Sequence, residues 1–378
     1  MSRSPFLKPL LIAAWAALLF LPLKNIPSAA VVFASILSGL LLVVVVQKTL
    51  RPEARKIGRA AAGLGEKFDP LLRRFRFLLL PLSLVLFLVL PAIVKDYYLD
   101  VLVMSGIYIL LALGLNVIVG FTGLLNLGFA AFYAIGAYTY ALLNTKAGLG
   151  FWPSLPLSAI AAAFAGLLLA IPALRLRGDY LAIVTLGFGE ILRLILNNWD
   201  SFTNGPNGIS GIDPPIVGGF SLGTLTPYYY LVLVIVILSI IIIRRVEHSR
   251  IGRAWIAIRE NEIAASSMGI NATAYKLYAF TFGTFWAGIA GTLFAAKMRF
   301  ISPESFTFME SVMVLSMVIL GGLGNLYGAV LGAFLLVVLP EVLREVQLYR
   351  MLILGLGLVL LMIFRPQGLI GKTGVINR

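Results

Sequence analysis

Apolar runs on the order of 20 residues, each long enough to cross a hydrocarbon layer, recur from residue 10 to residue 364. No other feature constrains the fold as tightly. A backbone inside lipid must satisfy its own hydrogen bonds, and a run of this length does so as a helix. The composition agrees: 60% of the 378 residues are hydrophobic and 12% are charged, where a soluble domain carries about 25% charged residues. The expected fold is an all-α polytopic membrane protein rather than one large soluble core.

Candidate spans are 10–23, 28–47, 77–94, 101–119, 129–145, 155–174, 180–196, 227–243 and 275–297. A glycine-broken region at 311–340 and a last span at 350–364 follow. The N-terminal run resembles a secretory signal, but no small-residue cleavage site follows it and another apolar run begins at once. It reads as a retained first span.

The loops set the orientation. Segment 48–76 holds nine Lys/Arg against three acids, and Arg175 and Arg177 separate two spans. Five arginines lie in 244–274, and Arg365, Lys372 and Arg378 close the chain. Loop 197–226 has Asp200 and Asp213 and no basic residue. Lys and Arg accumulate on the cytoplasmic side, so the first set is inside and the last loop outside. The same rule accounts for the net charge of +14 without nucleic acid. A basic, cytoplasmic C-terminus requires 311–340 to enter as two short segments meeting at Gly321–Asn325, or as a broken element. The count is then about twelve segments with both termini in the cytoplasm. Residues 1–76, a hydrophobic pair plus the basic linker, read as an appendage to a ten-segment core at 77–372. The linker carries Leu50, Ile57, Leu64, Phe68, Leu71 and Leu72 among its charges. It fits either a helix lying on the lipid surface or a solvated loop.

A weak echo links Gly120–Gly128 with Gly321–Gly328. Each follows a span running inward and precedes small residues spaced for close helix contact: Ala130, Ala134 and Ala137; Ala329, Gly332 and Ala333. In the first break, Gly120, Thr122, Gly123, Asn126 and Gly128 interrupt a helical run. Such a break exposes backbone donors and acceptors beside a pathway, and helix N-termini favour carboxylates. Plain helix packing is the competing reading. The external turn Asn204-Gly205-Pro206-Asn207 is either a docking surface for an outside partner or a connector.

No catalytic constellation is present. The chain has no cysteine and one histidine, His248, which excludes thiolate chemistry and Cys- or His-cluster metal sites. Glu190 and Arg193 stand three apart on one helical face near the outer end of their span. They read as a structural ion pair ahead of a substrate contact. No phosphate-cradling glycine loop occurs, so ATP is not bound by this chain.

Between two apolar runs lies a polar island, Arg244–Ala274. Trp255, Ile258, Ile263 and Met268 give its middle a helical look, and Gly269 stands where a helix-ending glycine belongs. A slim helix parallel to the membrane can seat in a partner's groove, with Arg253, Arg259 and Glu260 steering it. From the residues alone, a solvated loop helix is equally open.

The string Glu262-Ile-Ala-Ala-Ser-Ser-Met-Gly269 resembles the Glu-Ala-Ala loop of ABC-importer permeases, with Ile263 placed between the glutamate and the alanines. Four further strings resemble one family in that class. They are Ser249–Glu262, Arg175–Glu190, Asn204–Ile209 and Gly114–Gly120. That family is the M-type permease of the branched-chain amino-acid ABC transporters, and the likeness runs from about Tyr97 to Gly368. It implies a permease core of about ten segments with an extra N-terminal helical pair. It implies a second permease subunit, sister or self, two cytoplasmic ATPase subunits that carry ATP and Mg, and an external binding protein. It implies that the island is the coupling loop, with Arg253, Arg259, Glu260, Glu262, Ala265 and Gly269 at the ATPase contact. It places the protein in the plasma membrane of a bacterium or archaeon, the inner membrane in a Gram-negative cell. The same machine carrying urea, amides or other amino acids is the nearest alternative. An ion-coupled secondary transporter would want intramembrane carboxylates or histidines as relays, and a membrane enzyme would want clustered polar residues. The chain is poor in both.

Overall fold

Between residues 95 and 342 the apolar runs fold as helices, and the polar island folds as two more. The computed structural model describes residues 95–342 except 175 and 177, with the single positions 91, 355, 368 and 369. The spans read at 10–23, 28–47 and 350–364, the linker 48–76, the basic tail and nearly all of 77–94 lie outside the described residues. All described residues belong to one unit, Leu86–Arg378.

Helix α1 (Asp96–Leu115) runs on through a π-helical turn, Asn116–Phe121. After an irregular stretch come α2 (Phe129–Thr145), α3 (Phe151–Ala173) and α4 (Asp179–Asn198). The short α5 (Asp200–Thr203) opens the loop to α6. Then α6 (Leu225–Glu247) leads to the island helices α7 (Arg250–Glu260) and α8 (Glu262–Ser267). The chain returns through α9 (Ala272–Met298), α10 (Phe308–Gly321) and α11 (Leu326–Val342). Among the described residues, five segments are long and apolar enough to cross a membrane: Asp96–Phe121, Phe151–Ala173, Leu225–Glu247, Ala272–Met298 and Pro303–Gly321.

The read spans coincide with these helices, and 129–145 has the bounds of α2. Others overshoot the apolar run. Helix α6 continues through Arg244 and Arg245, where cations meet the negative end of the helix dipole.

Helix α9 is the centre. It packs against α1, α2 and α3, and its backbone comes so close to theirs that side chains are excluded. A Cβ on Gly288 would stand 2.8 Å from the Cα of Ala159 and the Cβ of Ala162. Gly136 of α2 lies against the same Gly288 backbone, and Gly114 of α1 against the Gly283 carbonyl. With no hydrophobic force between helices in lipid, such close packing supplies the cohesion. Phe132 then fills the space beside these contacts, with ring centroids 5.6 Å from Phe188 and 6.0 Å from Phe280. At the α1–α9 edge Lys297 meets Asp100 at 2.7 Å.

Helices α10 and α11 form the hairpin that the glycine-broken region requires. Gly321 packs on Gly328, and Gly332 on the Met317 carbonyl. The turn between them uses positive φ at Gly322 and Gly324. At the far end of α9 from the island, β1 (Ile209–Ser210) pairs antiparallel with β4 (Phe300–Ile301). Strands β2 (Ile216–Val217) and β3 (Phe220–Ser221) make a separate hairpin.

Candidate functional site: a polar loop seated on two helix breaks

Local chemistry shapes the island. Ser249 caps α7, its Oγ accepting from the Ile251 and Gly252 amides at 3.1 and 3.5 Å. Asn261 ends α7 in an extended conformation and caps α8, its Oδ1 accepting from the Ile263 and Ala264 amides at 3.0 Å each. The island is therefore two short helices joined at Asn261. Gly269, at φ 85°, closes α8. The Ile270 amide reaches back to the Ala265 carbonyl and the Gly269 amide to Ser266, the paired bonds of a Schellman motif.

One face of this loop is anchored. Trp255 is 1% exposed, donates from Nε1 to the Tyr275 carbonyl at 2.8 Å, and stacks on Phe121 at 6.5 Å. Ile258 packs with Ala265 and Ala272 in a small cluster of its own. Glu262 meets Lys276 of α9 at 2.6 Å, and the Lys276 side chain is only 9% exposed. An ammonium so nearly buried needs its counter-charge.

The six residues expected at the ATPase contact therefore divide. Arg253, Glu260 and Gly269 face outward. Arg253 donates to the His248 carbonyl at 3.0 Å, and a side chain added at Gly269 would meet open space. Ala265 is buried, and Glu262 is turned to Lys276. Arg259 donates from Nη1 to the carbonyl of Gly120, and the same nitrogen lies against Gly324. Beside the outward residues stand two bare apolar side chains, Ile263 at 72% and Met268 at 84% exposure.

Arg259 lands where the two glycine-rich breaks meet. Asn116 Oδ1 accepts from the Gly324 amide at 3.0 Å, and Gly120 is too close to Asn116 and to the Gly324 amide to carry a side chain. Thr122 donates back to the Ile118 carbonyl at 2.6 Å, and Gly123 packs on the Arg259 stem. From there the backbone runs irregularly among the helices. Asn126 Oδ1 accepts from the Gly128 amide at 2.9 Å, while its Nδ2 is buried without a partner. The Leu127 amide donates to Thr185 of α4 at 3.0 Å, and Ala130 donates to Ser311 of α10 at 2.9 Å. Ser311 stands ten residues from the Gly321 end of α10, about 15 Å by the helical rise. So 122–128 carries non-helical backbone to membrane depth, which lipid tolerates only when protein shields it. Leu127, Gly128, Glu190, Thr307 and Ser311 line one narrow cleft there. Glu190 bonds Arg193 at 3.0 Å, and Arg193 also approaches Glu304 at 3.5 Å, the structural pairing read from their spacing.

The turn at 204–207 is tightly built. Asn204 takes a left-handed φ of 63°, its Nδ2 donates to the Gly208 carbonyl at 2.8 Å, and Gly205 packs on Asp200. Pro206 and Asn207 stay exposed in the 3₁₀ turn that follows. More apolar surface lies on the neighbouring hairpin, where Phe220 is 80% exposed. Sequence reasoning missed that hairpin, and it missed Lys276, Asn116, Thr185 and Ser311. Only Lys276 left a signal, as a cation in the otherwise apolar early turns of α9.

Helices long and apolar enough to cross a membrane, broken backbone shielded among them, and a polar loop anchored over the breaks describe a multi-pass membrane protein. More narrowly, the chain belongs to the family described as branched-chain amino acid transport system / permease component, whose model matches residues 97–363. Among curated proteins it is 50% identical over 306 residues to the high-affinity branched-chain amino acid transport system permease protein LivM of Salmonella typhimurium, covering 75% of this chain and 72% of that protein. It is 49% identical over 313 residues to LivM of Escherichia coli, covering 77% and 74%. The high-affinity branched-chain amino acid transport system permease protein LivH of Salmonella typhimurium is 25% identical over 296 residues, covering 72% of this chain and 94% of LivH. No solved structure matches the chain.

Proposed function

We propose that this chain is the M-type permease subunit of an ATP-driven importer of branched-chain amino acids. It pairs with a second permease of the LivH kind and takes substrate from an external binding protein. Two cytoplasmic ATPase subunits hold ATP and Mg; this chain supplies the path. The observation that carries the reading is the two-sided island. Its inner face is locked to α1 and α9 through Trp255 and Lys276. Its outer face offers Ile263, Met268, Arg253 and Glu260 to a soluble partner. An apolar pair ringed by charge is a docking surface of ordinary build. ATP-driven motion biases the two arrangements of the permease through differential contact with that surface. Inside the membrane, the cleft at Gly128, Glu190 and Ser311 marks the path, flanked by Leu186, Phe306 and Phe308.

The test is reconstitution of the purified four-component complex in liposomes with the binding protein outside. Leucine, isoleucine and valine should enter only with internal ATP and external binding protein. Uptake by this chain alone, driven by a proton or sodium gradient, sinks the reading. Competition by urea or amides at the same concentration moves the substrate class.

A further inference from the structure

The island's charged residues do not share one task. We propose that Arg259 is a positioning residue, the latch through which displacement of α7 enters both helix breaks together. This rests on the importer reading above, and it gives Arg259 a role distinct from touching the ATPase.

The geometry comes first. The Arg259 residue as a whole is exposed, yet its Nη1 sits on the Gly120 carbonyl and against Gly324. A single side chain thus joins the solvent surface of α7 to the end of α1 and to the α10–α11 turn. Those two breaks are tied to each other by Asn116 Oδ1 and the Gly324 amide at 3.0 Å. Moving one moves the other.

The chemistry suits an arginine. Gly120 lies in the last, π-helical turn of the α1 segment, so its carbonyl belongs to the negative end of a helix dipole. A guanidinium gives it a charge-assisted bond and still keeps donors at the surface. One turn back on α7, Trp255 stacks on Phe121, the residue after Gly120. The helix therefore grips the α1 segment at two adjacent points, one apolar and one a charge-assisted hydrogen bond.

The junction also holds an unspent group. Asn116 is fully buried and its Nδ2 has no partner. A buried donor left open is costly, and native structures keep such groups for a reason. Here it stands where the second arrangement of the breaks has to form its own bonds.

The absence of cysteine gives a direct test. Spin labels at Ile256→Cys on α7 and Leu323→Cys in the α10–α11 turn, both exposed positions, report the α7-to-turn distance in the assembled complex. With Arg259 present the distance distribution is narrow in each nucleotide state. Arg259→Ala broadens it, and substrate moved per ATP hydrolysed falls about tenfold, within the range of coupling free energies between linked sites. Arg259→Lys, which keeps the charge and one donor, recovers part of both. An unchanged distance distribution in Arg259→Ala overturns the latch. So does loss of ATPase co-purification in Arg259→Ala and Arg259→Lys alike, which makes Arg259 a docking contact. If the unmodified complex shows no ATP-driven uptake, the importer reading fails, while the distance measurement still decides the latch.

Discussion

Lys276 lies in the second turn of α9 with almost no access to water, and Glu262 is its counter-ion at 2.6 Å. Removing one partner of a nearly buried pair costs more than removing both. Glu262→Ala should therefore loosen the island by about 1–3 kcal/mol, seen as faster amide exchange in α8. Glu262→Ala with Lys276→Met should recover most of that loss. Glu260→Ala, at an outward position, should leave exchange unchanged; if it matches Glu262→Ala, the pair is not the anchor. The resemblance to the Glu-Ala-Ala loop placed Glu262 among the partner contacts. Within the chain it pairs with Lys276 on the next helix, and a one-residue break at Asn261 turns it there. Arg259 was hidden more deeply, since its acceptor lies 139 residues away and is a backbone carbonyl. No side-chain pattern marks such an acceptor.

The long helices among the described residues were legible, because apolar run length sets them, whereas the short α5 and the split of the island into α7 and α8 were not. Helix α2 keeps the bounds of its run. Its neighbours were not legible, because small residues announce close contact without naming the other side. Gly136 meets Gly288, and Gly114 meets Gly283, pairs that only three-dimensional structure reveals. The motif glycine at 114 is thus a packing residue between α1 and α9. Two substitutions separate contact from composition. Gly288→Leu would overpack the α2–α3–α9 junction and destabilise the protein by about 1–3 kcal/mol or more, read as a lower denaturation temperature in detergent. Gly187→Leu, where an added side chain meets nothing within 4 Å, should change it little. Equal shifts in both would remove the close-packing account of α9.

At the scale of the molecule, charge placement predicted which loops share a side, and two exposed residues let that be tested. Met268 is the barest apolar side chain on the island and Phe220 on the β2–β3 hairpin. A cysteine at 268 should react with an impermeant maleimide only in inside-out membranes, and one at 220 only in right-side-out membranes. Labelling of both from the same side would invert or break the topology. What charge and run length did not reveal is how the two sides are joined, since the breaks at 120–128 and 321–328 were legible as breaks but not as neighbours. The irregular backbone between Gly120 and Ala130 also has a history in time. The Leu127 amide finds its acceptor 58 residues later, the Gly120 carbonyl its donor 139 later, and the Ala130 amide its acceptor 181 later. During synthesis, then, this early segment leaves the ribosome without its partners and stays unfinished until Ser311 has been made. The last third of the message completes the first break.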